Sequence, residues 1–255
     1  GCHQCSQYRE YPAAMVDCTK RMWNLKKKWF TGVNDLTIIA PSQWLANLLK
    51  ESYLKDSPVK VINNGIDLLV YKPTESDFRE KYGIPVDKSI LLGVAFEWGI
   101  RKGLDVFIEL SNRLDKDKYQ IVLVGTDDEV DKQLPSNIIS IHRTHNQQEL
   151  AEIYTAADLF VNPTREEVLG LVNVESLACG TPVVTFKAGG SPECIDENCG
   201  SAVECDDVDA MEREIIRICI EKPYSEVACY QRAKAFGNDE RLSEYVNLIE
   251  KGRSL

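Results

Sequence analysis

Short apolar runs alternate with amphipathic stretches along most of the chain, from about Val59 onward. Short apolar runs bounded by turn residues are typical of buried strands, although a short buried helix can produce any single one. A further run at 36–40 has the same character. From residue 59 onward the predicted strands are 59–62, 90–94, 120–125, 138–141, 159–161 and 182–186.

The segments between these strands have apolar residues at helical spacing. Asn146 followed by Glu149 suits the capped start of a helix, and apolar residues recur at helical spacing after it and after Gly103. Strands alternating with helices imply right-handed crossovers and a mostly parallel sheet covered on both faces. The predicted fold class is therefore α/β, with a doubly wound, mostly parallel, Rossmann-like sheet over residues 58–222.

The two ends of the chain do not follow this alternation. Residues 1–57 contain one predicted strand among helix-compatible segments, and one strand cannot form a sheet alone. We therefore expect 1–57 to be the last portion of another domain, whose earlier part is absent. Residues 223–255 predict one or two amphipathic helices that pack back toward the amino-terminal part.

Composition and charge exclude several classes of protein. The 255 residues are 44% hydrophobic and 27% charged, which is ordinary globular usage. A formal net charge of −10 argues against a nucleic-acid binder, which relies on clustered basic residues. No run approaches the roughly 18 to 20 apolar residues of a membrane-spanning helix. Nine scattered cysteines favour a reducing cytoplasm over a disulfide framework.

Two weaker signals near the amino terminus stay open. Cys2 and Cys5 form one CxxC pair around His3, which is only half of the ligand set of a structural zinc site, so unligated thiols are favoured. Three lysines at 26–28 leave open a contact with the inner face of an anionic membrane, although such a run is usually a solvated helix face.

The densest group of candidate functional residues follows the strand at 159–161. Glu167 lies just before a helix that begins near Leu169, and Glu175 lies eight positions later inside it. Loops at the carboxyl ends of parallel strands bind ligands in open α/β sheets, and a helix start attracts anions. Both carboxylates are expected to face one crevice and accept hydrogen bonds from ligand hydroxyls. An ordinary role for Glu166 and Glu167 as acids at a helix start remains open.

Five ordered segments resemble the group 1 (retaining, GT-B) nucleotide-sugar glycosyltransferases. Together they extend over about residues 36–195, which is far more specific than one short motif. The chain is identified as a member of this family, in its polysaccharide-biosynthesis branch, lacking most of the amino-terminal domain. The resemblance implies that 1–57 is the remnant of the acceptor domain, a second Rossmann-like domain. The segments are APSQWL at 40–45, VINNGID at 61–67, RKGL at 101–104, YTAADLFVNP at 154–163, and a stretch from Glu167 that includes Glu175, ACGTPVV at 178–184 and GGSPE at 189–193.

The resemblance implies a role for each residue of a donor site in the GT-B carboxyl-terminal domain. It assigns Glu175 to the ribose hydroxyls and Glu167 to hydroxyls of the donor sugar. Lys102 would neutralise the diphosphate together with the backbone N–H groups of Gly170 and Leu171. Charge stabilisation matters because the leaving nucleoside diphosphate gains negative charge. Lys102 and Glu167 are therefore the expected catalytic residues, and neither a metal nor a cofactor is expected.

The remaining donor contacts are implied less directly. Arg143 and Thr144 would grip the base, and Gly190 would allow close backbone approach to the donor. The family's usual Gly-Arg-Leu turn is replaced at 94–97 by a sequence without arginine. Arg101 could substitute for that arginine from beside Lys102, or it could point to solvent.

The expected function is transfer of a sugar from a UDP- or GDP-sugar to a glycan or lipid-linked acceptor in capsular or exopolysaccharide synthesis. No nucleic-acid partner is expected, and the sequence does not indicate an oligomeric state. Two alternatives stay open, a non-catalytic nucleotide-sugar-binding module and a sugar-nucleotide epimerase of the same fold. The isolated chain is expected to bind its donor and to transfer weakly.

Overall fold

The computed structural model describes residues 4–9 and 13–253, and these divide into two compact units between Val61 and Ile62. Cys2 and His3 lie outside the described residues, so the zinc alternative for the CxxC pair stays a prediction. The lysines at 26–28 lie on an exposed helix, and their membrane contact also stays a prediction.

The first unit contains a two-stranded parallel sheet. Ser42 caps α2 as the sequence predicts, since its Oγ accepts a hydrogen bond from the Leu45 N–H at 3.2 Å. The β1 and β2 strands pair with Ile38 opposite Val59. The elements are α1 (Thr19–Phe30), β1 (Ile38–Ala40), α2 (Gln43–Leu49) and β2 (Val59–Val61).

This pairing corrects the assignment of the segment at 59–62. The sequence places it as the first strand of the large sheet, whereas β2 hydrogen-bonds with β1 and extends no further sheet. The Ile38 N–H donates to the Pro58 carbonyl at 2.9 Å and so fixes the register. The units therefore separate after Val61, and not after residue 57.

The second unit is built on a six-stranded, wholly parallel sheet, which confirms the predicted α/β class. Its strand order is β5-β4-β3-β6-β7-β8. The sequence does not predict β8, because Gly-Ser-Ala-Val lacks a strong apolar run. The strands are β3 (Ser89–Val94), β4 (Tyr119–Val124), β5 (Ile138–Ile141), β6 (Leu159–Asn162), β7 (Val183–Phe186) and β8 (Gly200–Val203).

Helices cover both faces of this sheet. Successive strand residues face opposite sides, so Leu92 belongs to one buried cluster and Leu91 to the other. The first cluster includes residues of α6, α7 and α9, and the second includes residues of α4 and α8. The helices are α3 (Phe78–Lys81), α4 (Leu104–Arg113), α5 (Asp128–Asp131), α6 (Gln147–Ala156), α7 (Leu171–Ala178), α8 (Val208–Glu221), α9 (Glu226–Lys234) and α10 (Asn238–Arg253).

The carboxyl-terminal segment forms two helices, α9 and α10. The turn between them is tied to the start of the second unit, since the Ile66 N–H donates to the Phe236 carbonyl at 2.9 Å and Asn238 N–H donates to the Ile66 carbonyl at 3.0 Å. These helices therefore belong to the second unit. Their expected packing toward the amino-terminal part stays a prediction.

The strand order reverses direction between β3 and β6. The chain leads from β3 outward through β4 to β5, then returns to β6 beside β3 and continues outward to β8. The loop after β3 leads toward β4 and the loop after β6 leads toward β7, so the two loops run in opposite directions from the carboxyl edge of the sheet. Open α/β sheets bind their ligands in the crevice at such a reversal.

Candidate functional site

A cavity of about 200 Å³ lies at this strand-order reversal. Its floor is formed by the ends of β3 and β6, and Leu171 and Val172 at the start of α7 form one side. Lys102 and Glu167 are the two charged side chains on its wall. The structure therefore brings together the basic and acidic motifs that lie 65 positions apart in the sequence.

Lys102 is placed by a short turn between β3 and α4. A 3-10 turn at Ile100–Lys102 leads directly into Gly103, whose φ is +76°. A Cβ at Gly103 would stand 2.4 Å from the Pro163 carbonyl oxygen, so only glycine fits at this point. The close approach holds the basic turn against the loop that carries Glu167.

Lys102 and Glu167 form an ion pair inside the cavity. The Lys102 Nζ donates to Glu167 Oε2 at 2.7 Å, and the two side chains are 28% and 19% exposed. Partial burial strengthens their attraction relative to a pair in water. The pair presents a cation beside a hydroxyl-accepting carboxylate, which is the combination that a phosphorylated sugar requires.

The backbone of Glu167 is fixed from the other side by the glycine pair at 189–190. The Gly190 N–H donates to the Glu167 carbonyl at 3.0 Å. Gly189 has a φ of +58°, and a Cβ there would stand 1.8 Å from the same oxygen. The predicted close backbone approach thus occurs against the loop of Glu167, and the contact of Gly190 with a donor stays a prediction.

Arg165 joins the basic and acidic loops. Its guanidinium makes two hydrogen bonds of 2.8 Å to the carboxylate of Asp105 and one of 2.6 Å to Asp206, and it also donates to the Ile100 carbonyl. The backbone N–H of Arg165 donates to the Arg101 carbonyl at 2.9 Å. The hydrogen bond from Arg165 lowers the pKa of the Asp105 carboxyl. Arg165 therefore fixes the spacing of Lys102 and Glu167.

Beneath the start of α7 lies a buried polar network that the sequence reasoning missed. Asn162 Nδ2 donates to Asn173 Oδ1 at 2.8 Å, and Asn173 Nδ2 donates to Ser191 Oγ at 2.9 Å. Thr185 Oγ1 and Ser191 Oγ share a further hydrogen bond of 2.7 Å. The signal available in the sequence was Asn173 itself, a polar residue in the apolar stretch of a helix. This network fixes the helix whose first turn borders the cavity.

Glu175 lies one turn further along α7, on the face that carries Leu171 and Val172. Its carboxylate contacts neither member of the Lys102–Glu167 pair through a hydrogen bond within the described residues. The Tyr154 hydroxyl donates to Glu175 Oε2 at 3.1 Å instead. Burial raises the pKa of Glu175, while hydrogen bonds from Tyr154 and Tyr71 lower it. Glu175 is thus a largely buried acid without a cation beside it in the described part of the chain.

The other predicted contacts lie closer to solvent. Arg101 and Arg143 have exposed side chains, and Thr144 is half-buried at the carboxyl end of β5. The side chain of Phe96 is 97% exposed and borders the cavity where the resemblance implies arginine. The roles of Arg101, Arg143 and Thr144 in donor binding therefore stay predictions.

One group of described side chains has a spacing that could hold a cation. Asp128, Asp131 and His142 are all exposed, and their ligand atoms lie within 4.8 Å of one another. His142 Nε2 lies 2.7 Å from Asp131 Oδ2, and this contact raises the pKa of His142. An exposed pair of this kind is equally a surface ion pair, so it adds no catalytic group to the cavity.

The fold and the site define a GT-B Rossmann-like domain, and solved structures share it. A sucrose-phosphate synthase from Thermosynechococcus elongatus matches with a TM-score of 0.80 at 22% identity, covering 97% of this chain and 65% of that one. Anabaena Alr3699/HepE, solved with UDP and glucose, matches with a TM-score of 0.73 at 22% identity, covering 93% of this chain and 68% of that one.

The family follows from the sequence match over residues 88–220. These residues match the family model described as glycosyl transferases group 1, and the chain belongs to this family. A D-inositol 3-phosphate glycosyltransferase of Catenulispora acidiphila is 30% identical over 228 residues, which is 76% of this chain and 53% of the relative. A glycogen synthase of Streptococcus pneumoniae is 28% identical over 180 residues, which is 60% of this chain and 38% of that enzyme. The chain thus spans about half or less of these relatives.

No helix among the described residues combines the length and the apolar character that a membrane span requires.

Proposed function

We propose that this chain carries the donor site of a retaining glycosyltransferase that uses a UDP- or GDP-sugar. The observation that supports it most is the Lys102–Glu167 pair in a cavity at the strand-order reversal, beside the first turn of α7. A fold neighbour solved with UDP and glucose supports the choice of a nucleotide-sugar. The chain also belongs to a family of transferases.

In this proposal, charge stabilisation drives the chemistry. The bond between the sugar and the diphosphate breaks as the acceptor hydroxyl attacks from the same face. Negative charge develops on the leaving phosphate, whose oxygen takes the proton of the attacking hydroxyl. Lys102 and the N–H groups at the start of α7 stabilise that charge in a partly water-excluded cavity. Gly170 and Leu171 supply the first of these N–H groups, and neither a metal nor a cofactor is required.

The two acids have separate tasks in the proposed site. Glu167 accepts hydrogen bonds from hydroxyls of the donor sugar, since it lies beside Lys102 in the cavity. Glu175, one helical turn along α7 from Leu171, accepts hydrogen bonds from the ribose hydroxyls of the nucleotide. The acceptor is a glycan or a lipid-linked sugar of capsular or exopolysaccharide synthesis.

Two alanine variants test this division of labour. Glu175→Ala should weaken binding of UDP and UDP-glucose equally, because both ligands contain the ribose. Glu167→Ala should weaken UDP-glucose more than UDP, because only the former contains the sugar. Isothermal titration calorimetry measures all four affinities, with Glu197→Ala as an exposed-acid control. An equal loss for both ligands in both variants would contradict the assigned roles.

A further inference from the structure

A buried tyrosine hydroxyl is bonded to the carboxylate of Glu175. Tyr154 on α6 is 0% exposed, and its hydroxyl donates to Glu175 Oε2 at 3.1 Å. A buried hydroxyl without a partner costs free energy, so each group satisfies the other. Tyr71, from the segment before α3, lies close enough to the Glu175 carboxylate to affect the pKa of that group.

Packing fixes the position of the Tyr154 hydroxyl. Its ring meets Phe160 edge-on, with 5.5 Å between ring centroids, and Tyr71 edge-on at 6.4 Å. Its backbone carbonyl accepts a hydrogen bond from Thr181 Oγ1 at 2.6 Å. The ring therefore cannot rotate toward another acceptor, and the hydroxyl determines where the Glu175 carboxylate lies.

The Glu175 carboxylate can accept further hydrogen bonds besides the one from Tyr154. An ionised carboxylate offers about four lone-pair sites. The Tyr154 hydroxyl occupies one of them. The sites that remain are sufficient to accept hydrogen bonds from the two neighbouring hydroxyls of a ribose.

We propose that Tyr154, assisted by Tyr71, is a positioning residue of the donor site, which holds the Glu175 carboxylate so that its remaining acceptor sites meet the ribose 2′- and 3′-hydroxyls. This inference rests on the proposed function of Glu175. Tyr154 touches no ligand itself and acts through the carboxylate. It determines how strongly the site distinguishes a ribonucleotide from a nucleotide without these hydroxyls.

The tyrosines also replace the cation that a buried carboxylate normally needs. Among the described residues, the titratable groups that face Glu175 are Tyr154 from α6, Tyr71 from the segment before α3, and Cys179, which directly follows α7. Burial raises the pKa of the Cys179 thiol to about 12, so this group stays neutral near pH 7. Burial raises the pKa of Glu175, and the tyrosine hydrogen bonds lower it toward the range where the acid is ionised.

The direct test uses Tyr154→Phe with two probes, UDP and 2′,3′-dideoxy-UDP. The variant keeps the ring and removes only the hydroxyl. We expect UDP to bind about tenfold more weakly, as for loss of a hydrogen bond to a charged group, while the affinity for the dideoxy probe is unchanged. Tyr224→Phe is the matched control. The Tyr224 hydroxyl donates to the Gly200 carbonyl at 2.9 Å, and neither residue lines the cavity.

The pH dependence supplies a readout that a purely structural role would not move. Glu175 must be ionised to accept from two hydroxyls, so the preference for UDP over the dideoxy probe is lost as pH falls through the pKa of Glu175. Removing the Tyr154 hydroxyl takes away a hydrogen bond that lowers this pKa. The preference should therefore disappear at a higher pH in the variant. Both probes carry the same diphosphate, whose titration cancels in the ratio.

The outcomes separate the two proposals. Equal weakening of both probes by Tyr154→Phe, or an unchanged preference and pH profile, would overturn the positioning role. Should Tyr154→Phe fail to fold, Tyr71→Phe carries the same expectation with a smaller loss. If the unsubstituted chain binds UDP but shows no preference over the dideoxy probe, the ribose role of Glu175 fails, and the inference fails with it. If it binds neither, the donor site itself is contradicted.

Discussion

At the scale of single residues, the site is a partly buried ion pair prepared for a third charge. The Lys102 Nζ and the Glu167 Oε2 lie 2.7 Å apart. In the proposed site, a diphosphate would meet a lysine already held in place by a carboxylate, so we expect the entropic cost of ordering the lysine on binding to be small. The same carboxylate is available for sugar hydroxyls.

Lys102→Ala should weaken UDP binding about tenfold to a hundredfold, as for loss of a hydrogen bond between charged groups. The loss includes repulsion, because Glu167 is then left unpaired beside the diphosphate. The double variant Lys102→Ala/Glu167→Ala should consequently bind UDP more tightly than Lys102→Ala alone. Calorimetry measures the affinities, and Lys118→Ala is the control, since Lys118 pairs with Asp115 before the amino end of β4. A double variant weaker than the single one would contradict the repulsion.

Glu175→Gln should stabilise the fold at neutral pH. Burial raises the pKa of Glu175 above its ordinary value of 4.5, so the charged form disfavours the folded state. The contribution of Glu175 to the free energy of unfolding should fall as pH rises from 4.5 through its folded-state pKa. Glutamine is uncharged and keeps an oxygen for the Tyr154 hydroxyl. The Tm of the variant should exceed that of the parent at pH 7.5 and match it near pH 4. A variant that is less stable at pH 7.5 would contradict this sign.

At the scale of elements, α7 organises the site because its start is fixed by two neighbouring segments. The Asn162–Asn173–Ser191 network connects β6, α7 and the turn after β7. All three side chains are buried, so each unmade hydrogen bond would carry a desolvation cost. The first turn of α7 is thereby held rigidly at the edge of the cavity.

Asn173→Ala should lower the free energy of unfolding by about 3 kcal/mol, because it leaves buried groups of Asn162 and Ser191 without partners. Urea denaturation measures the change. Asn112→Ala is the matched control, since Asn112 is an exposed asparagine on α4 whose side chain donates to the Ile108 carbonyl of its own helix at 3.0 Å. A loss for Asn173→Ala no larger than that of the control would show that the network does not hold the helix.

The elements also show how far the sequence alone leads. Five of the six strands of the large sheet follow from apolar runs, because such runs are buried between two layers of helices. The β8 strand has no such run and depends on its neighbour β7. The pairing of β2 with β1 depends on which strand lies adjacent in space, and the local pattern does not carry that information.

The candidate site likewise has a part that the sequence predicts and a part that depends on contacts in space. Lys102 and Glu167 could be named in advance from motifs that lie at strand ends, and the structure brings the two together. The partners of Glu175 could not be named from the sequence, because tertiary packing with Tyr154 and Tyr71 decides the direction of this side chain on α7. Arg165 stood in the acidic motif, but its contact with Asp105 joins residues 60 positions apart.

At the scale of the whole molecule, the second unit contains every element of the proposed donor site. The cavity, the Lys102–Glu167 pair and the Tyr154–Glu175 contact all lie between Ile62 and the carboxyl-terminal helices. We therefore expect binding of the nucleotide to require only this unit. Sugar transfer also requires an acceptor site, to which no described residue is assigned, so the chain should bind its donor and transfer sugar weakly. Robust transfer by the 255-residue chain would contradict that expectation.

The most direct measurement is the thermal stabilisation of the chain by UDP, GDP, ADP and their common sugar conjugates. A ligand at a hundred times its Kd should stabilise the folded state by about 2.7 kcal/mol if it binds only that state. We predict a rise in Tm that is selective for one base and is strongly reduced in Lys102→Ala. The absence of a shift with every nucleotide, or a shift that Lys102→Ala leaves unchanged, would contradict a donor site at the Lys102–Glu167 pair.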